Sequence, residues 1–161
     1  MSDMQTAAAP AAKNNTTTDR QSDREVVVTR TFDGPARIVF EAWTTPELLM
    51  RWWTPKSFGI TFISCEADVR PGGTYRFQTA YGVVEGEFRE VEAPERLVQT
   101  FQNHLQTLEF EDLGDQTKLI QTMRFTTTAE RDTTMQYGVE EGAKSGFARV
   151  DELLQRLALD A

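Results

Sequence analysis

Phe32-Asp33-Gly34-Pro35-Ala36-Arg37-Ile38-Val39-Phe40-Glu41-Ala42-Trp43-Thr44-Thr45-Pro46-Glu47-Leu48-Leu49-Met50-Arg51-Trp52-Trp53-Thr54-Pro55 is the stretch on which the fold turns. A β-rich run, Val26 to Phe32, stops at the turn residues Asp33-Gly34-Pro35. Pro35 suits the first position of a helix. From 35 to 43, Ile38, Val39, Ala42 and Trp43 fall on one helical face. Thr45 stands at the N-cap of a second helix, with Pro46 at its first position and Leu48, Leu49, Trp52 and Trp53 as its apolar side. All three tryptophans of the chain lie here. A strand, two short helices and a crowd of indoles are what would cover the mouth of an apolar space.

Working outward, the first strand spans about 25–32, with Val26, Val28, Arg30 and Phe32 on one parity. From Ile60 to Phe125 the pattern predicts six more strands, at about 60–69, 73–80, 83–92, 96–103, 105–112 and 117–126. Their turns are Arg70-Pro71-Gly72-Gly73, Tyr81-Gly82, Ala93-Pro94-Glu95-Arg96 and Asp112-Leu113-Gly114-Asp115. Gaps this short require antiparallel neighbours. Alternations such as Tyr75/Phe77 and Leu97/Phe101 predict one buried and one wet face. A long helix at 129–159 follows, capped by Thr128. Its apolar stripe runs from Val139 through Phe147 to Leu157. Gly138, Gly142 and Gly146 recur beside that stripe. Each costs about 1 kcal/mol against alanine inside a helix. Their alignment therefore predicts either close approach of the helix to the sheet or a space left open between them.

The chain of 161 residues suits one domain at 24–161 preceded by a tail. Residues 1–23 are nearly devoid of large apolar side chains and read as a disordered N-terminal tail. The net charge of −8 argues against nucleic acid and against anionic membrane surfaces as partners. No apolar run approaches the ~20 residues of a membrane span. The single cysteine, Cys65, excludes an internal disulfide and fits a cytoplasmic location. With one histidine, His104, a multi-histidine metal site cannot be built from one chain. No phosphate loop, nucleophile motif or acid–base pair stands out, so no catalytic residue, metal or cofactor is assigned.

The order strand, two helices, six strands, long helix predicts an α+β fold, a curved seven-stranded antiparallel sheet wrapped on the long helix. One helix covers only part of such a sheet, which leaves room for a cavity roofed by the short helices. Its candidate lining combines the indoles Trp52 and Trp53 with the inward aromatics Tyr75, Phe77, Phe88, Phe101 and Phe110. Met123, Gly142 and Gly146 join them. Trp43 reads as core packing. Gln99 and Gln121 share the inward parity and could orient a ligand. Arg30, also inward, needs a partner, for which Glu140 or Glu141 is the candidate. Arg30 is then a structural ion pair or an anchor for an acidic ligand group. Asp68 and Arg70 read as braces of a tight turn, Cys65 as a small buried hydrophobe, and His104 as a surface or turn residue.

Several segments carry a family likeness: Thr29-Arg30-Thr31-Phe32-Asp33-Gly34-Pro35, Trp43-Thr44-Thr45-Pro46-Glu47-Leu48-Leu49, Arg51-Trp52-Trp53-Thr54-Pro55, Asp68-Val69-Arg70-Pro71-Gly72-Gly73, Pro94-Glu95-Arg96-Leu97-Val98, and Glu140-Glu141-Gly142 followed by Leu153-Leu154. In this order they resemble the helix-grip (SRPBCC) superfamily of START-like, Bet v 1-like and polyketide-cyclase domains. Within it they are most similar to the branch named after the activator of heat-shock protein 90 ATPase. The likeness covers about 25–158. Thr54 replaces the glycine usual after the paired tryptophans, and Ala143 replaces the bulky residue usual after Glu-Glu-Gly. The resemblance implies binding of a hydrophobic or aromatic small molecule, such as a lipid or polyketide, for transport, sequestration or sensing. A cyclase- or aromatase-like enzyme and a chaperone-ATPase-associated interaction protein with a role in stress response are the alternatives it carries. A homodimer through a free sheet edge is compatible with either.

Overall fold

The structure is a computed structural model that describes residues 17–22, 24–53, 62–80, 82–101, 104–136 and 139–160. The strands are β1 (Thr17–Ser22), β2 (Glu25–Phe32), β3 (Phe62–Ala67), β4 (Thr74–Thr79), β5 (Gly82–Glu92), β6 (Arg96–Phe101), β7 (His104–Asp112) and β8 (Thr117–Phe125). The helices are α1 (Ala36–Thr44), α2 (Pro46–Trp52), α3 (Thr128–Gln136) and α4 (Val139–Asp160). The strands form one antiparallel sheet in the order β1-β2-β8-β7-β6-β5-β4-β3. The meander is the one expected, and the first strand of the core returns to pair with the last. The element order is that of the helix grip, an α+β fold with a curved sheet.

Three expectations need correction. The sheet has an eighth strand, because Thr17–Ser22 lies inside the stretch read as a tail and pairs with β2. Its residues are polar, so it contributes main-chain pairing and no apolar period. The helix expected as one element at 129–159 is two, α3 and α4, with Gly138 outside the described residues. The cap of α3 is Thr127 and not Thr128: the Glu130 amide donates to Thr127 Oγ1 at 3.1 Å. Thr127 and Glu130 stand three apart, in the positions of a capping box.

The inner face of the sheet is the expected parity. Val26, Val28, Arg30 and Phe32 of β2 are buried, as are Leu108 and Phe110 of β7 and Leu119, Met123 and Phe125 of β8. Phe147, Val150, Leu153 and Leu154 of α4 pack against them at helical spacing. The turn after β2 is tied down by Thr117, whose Oγ1 donates to the Gly34 carbonyl at 2.8 Å. That bond fixes where α1 leaves the sheet. Pro46 occupies the start of α2 as expected, with Thr45 at the N-cap position but without a side-chain cap bond. Trp52 Nε1 donates to the Ala42 carbonyl at 2.8 Å, which locks α2 against α1. At the β3–β4 turn, Arg70 pairs with Asp68 at 2.8 Å and Gly72 takes a φ of 84°. These residues hold a turn, as their sequence predicts.

A candidate ligand cavity between the sheet and the C-terminal helix

The short-helix pair places its three indoles close together. Trp43 and Trp52 have ring centroids 4.6 Å apart, and Trp43 lies 5.9 Å from Phe147 of α4. Trp53, at the end of α2, meets Phe77 at 5.2 Å and Phe101 at 6.0 Å. Beside these rings is a cavity of about 300 Å³. One wall is Trp43, Trp52 and Trp53. The sheet supplies Phe101, His104, Gln106, Gln121 and Met123, all on the inner parity of β6, β7 and β8. The helices close it with Thr134 of α3 and Ala143, Gly146 and Phe147 of α4.

Ala143 is the position where the resemblance calls for a bulky side chain, and the small methyl there leaves space at the cavity wall. Gly146 shows which of the two explanations for a helical glycine holds at this site. A Cβ added to it would meet Trp52 at 3.7 Å, an ordinary contact, so the glycine leaves room and does not relieve a clash. The side chains at 139–142 and residues 54–61 lie outside what the structure describes, so Gly142 and Thr54 are not placed against the cavity.

Of the residues read from sequence, Trp52, Trp53, Phe101, Gln121, Met123 and Gly146 line the cavity. Tyr75, Phe77, Phe88 and Phe110 are buried in the core but are not among the residues that line this cavity. Tyr75 donates its hydroxyl to the Thr100 carbonyl across the place where Gly86 sits opposite it. A Cβ on Gly86 would fall 2.4 Å from that carbonyl, so only glycine admits the tyrosine's reach. Burial pushes the Tyr75 phenol up to about 12, against a hydrogen bond with Gln99 that lowers it. Gln99 is thus committed to Tyr75 and away from the cavity.

Arg30 is also away from the cavity lining. Its side chain is fully buried, donates to Asp151 of α4, and lies 5.0 Å from the centroid of Phe32. Asp151 is one partner of the guanidinium; the side chains of Glu140 and Glu141, the candidates expected on the same helix, lie outside the described residues. The pair ties α4 to β2, which favours the structural reading of Arg30 over the ligand anchor.

Trp43, His104, Gln106, Thr134, Ala143 and Phe147 are cavity residues that sequence reasoning did not assign to the lining. The parity of β7 carried the signal for two of them, since His104 and Gln106 share the parity of Leu108 and Phe110. His104 is not at the surface. Its ring lies 5.4 Å from Phe101 and 4.9 Å from Phe125. Burial holds its pKa below the usual histidine value, partly offset by a hydrogen bond with Gln106. It is therefore a neutral imidazole at pH 7. Gln121 Nε2 donates to Gln106 Oε1 at 3.3 Å. The described lining thus holds aromatics, two carboxamides, a neutral imidazole and a threonine hydroxyl, and no carboxylate or ammonium.

Other reactive groups lie elsewhere. Cys65 is half-buried on the edge strand, its thiol pushed up to about 11 by burial and by Glu47 and Glu66, so it is no thiolate at neutral pH. Among the described residues no three His, Cys, Asp or Glu side chains are grouped to hold a metal. No helix among them is long and apolar enough to cross a membrane.

Comparison with known proteins agrees with this architecture. The chain is similar in fold to a protein of Rhodobacter sphaeroides, with a TM-score of 0.81, 21% identity, and 88% of this chain and 99% of that one covered. A protein of Nitrosomonas europaea superposes with a TM-score of 0.79 at 22% identity, covering 87% of this chain and 99% of the other. An HSP90 activator from Plasmodium falciparum superposes with a TM-score of 0.60 at 21% identity, covering 82% and 96%. No curated protein matches the sequence. The profile of the family described as "Activator of Hsp90 ATPase homolog 1-like protein" matches residues 33–155, which take in α1, α2, β3 to β8, α3 and most of α4. The chain belongs to that family.

Proposed function

We propose that this protein binds an apolar, aromatic-compatible small molecule in the cavity between the curved sheet and α4. The observation that carries the reading is the lining itself: three indoles and two phenyl rings around a few polar groups, with glycine and alanine on the facing helix. Small-molecule sites combine an apolar wall with sparse polar groups in this way, and ~300 Å³ is at the small end of their range. A compact ring system fits that volume; a two-chain lipid does not. The lining lacks a charged acid–base pair among the described residues, so binding is favoured over a cyclase-like reaction.

The three tryptophans of the chain all line the cavity, which makes their emission a direct reporter. A panel of flat apolar compounds is titrated while tryptophan emission and the melting temperature are followed. A true ligand alters the emission and raises the melting temperature by mass action, since it stabilises the folded chain by about 2.7 kcal/mol at a hundredfold excess over Kd. Ala143→Leu, which fills the cavity from α4, is expected to weaken that ligand at least tenfold while leaving the fold intact. A panel in which no compound moves either signal sinks the reading.

Membership of this family, together with the likeness in fold to the Plasmodium falciparum HSP90 activator, supports a second reading, association with a chaperone ATPase. Its test is whether the purified chain stimulates ATP hydrolysis by a heat-shock protein 90.

A further inference from the structure

We propose that the Gln106–Gln121 carboxamide pair is the specificity element of the cavity, selecting an uncharged ligand whose ring system ends in a donor–acceptor edge. The assignment rests on the binding reading above. Three glutamines point inward from adjacent strands: Gln99 on β6, Gln106 on β7 and Gln121 on β8. Gln99 is buried and engages Tyr75, outside the cavity. Gln106 and Gln121 line the cavity and share one bond of 3.3 Å, beyond the usual range for an amide pair. A carboxamide carries two N–H donors and an acceptor oxygen. Gln121 spends one N–H on Gln106, and Gln106 spends its oxygen on Gln121 and engages His104. Donor and acceptor capacity of both kinds therefore faces the apolar space.

Such groups do not select a hydrocarbon, because filling the cavity with one removes water from carboxamides that then lack partners. They do not select a carboxylate either. Among the described lining residues no cation offsets a buried anion, and burying a lone charge is the greater penalty. An amide, lactam or phenol edge, which both donates and accepts, satisfies both glutamines without bringing charge. The opposite wall, built of Trp43, Trp52 and Phe147, takes the ring face.

Three probes with one ring skeleton separate the terms: naphthalene, 2-naphthamide and 2-naphthoate, with Kd measured by equilibrium dialysis at pH 7.5. The expected result is that 2-naphthamide binds about tenfold or more tightly than either of the others. Gln121→Leu should bring 2-naphthamide within about twofold of naphthalene and leave naphthalene unchanged or tighter. Gln106→Met is the second variant, with the same expected loss of preference, should Gln121→Leu fail to fold by circular dichroism. Naphthalene binding as tightly as the amide, 2-naphthoate binding tightest, or a preference that survives in the folded variants would each overturn the carboxamide assignment and leave the cavity standing. Failure of all three probes on the wild-type chain, with Gln121→Leu also binding no naphthalene, would instead overturn the cavity reading beneath it.

Discussion

Arg30 and His104 are both inward-facing polar residues on strands, and their surroundings make them opposites. Arg30 is charged and bound to Asp151, which retains some contact with solvent. The asymmetry in exposure predicts an asymmetry in mutants. Asp151→Ala takes a carboxylate from a guanidinium buried beside Phe32 and should cost about 1.5–3 kcal/mol, the range of a hydrogen bond to a charged group. Arg30→Met removes the charge and leaves Asp151 near water, so its cost should be clearly smaller. Urea denaturation of the two variants checks the order; equal losses would mean that the pair acts through packing and not through charge. His104 is held neutral. Its folded pKa lies below the unfolded value of about 6.5, so the unfolded chain binds the proton more readily. Stability is then fully present above about pH 6.5 and falls as pH drops from there through the folded pKa. Melts at pH 7.5 and 5.5 should show that loss, and His104→Gln should make it smaller. A loss of the same size in the variant would assign it to other groups.

At the scale of elements, α4 combines packing and vacancy along one face. Phe147, Val150 and Leu154 seal the core, while Gly146 and Ala143 leave space beside Trp52. Gly146→Ala should therefore stabilise the helix by about 1 kcal/mol, since the new methyl meets only ordinary contact. It should also narrow the cavity and weaken any ligand that reaches that wall. Thermal denaturation with and without ligand measures both; destabilisation would mean that α4 approaches Trp52 more closely than the 3.7 Å contact allows. The strands were legible because each pairs a buried face with punctuating Gly, Pro and Asp, and their observed ends fall close to the expected ones. The division between α3 and α4 is not legible in the same way, because the apolar stripe of α4 hides a weakly amphipathic α3 and Gly138 reads as a packing residue. The cavity was half legible. Parity identifies the inner face of a sheet, but whether an inner aromatic such as Phe110 meets another ring or empty space depends on where the helices lie. Trp43 and Phe147 reach the cavity through where α1 and α4 pack on the sheet, which no strand period encodes.

For the whole molecule, the two sheet edges differ in what guards them. β1 covers β2, with pairs from Thr17↔Thr29 to Ser22↔Glu25, while β3 leaves the far edge without a strand neighbour among the described residues. β1 escaped sequence reading because an edge strand held by main-chain bonds needs no apolar period. Among the residues whose burial is described the core begins at Val26, and the sequence of β1 holds no large apolar side chain to add to it. A chain starting at residue 23 should fold cooperatively, with a melting temperature lower by a few degrees. Removing β1 also bares the N–H and C=O groups of β2, a template on which another copy can pair. Analytical ultracentrifugation of the shortened chain should thus show concentration-dependent dimers beyond those of the full chain. An unfolded product would make β1 integral to the core. An unchanged melting temperature with no added dimer would make the strand energetically idle, and the guard of that edge would have to be the half-buried side chains of β2 itself.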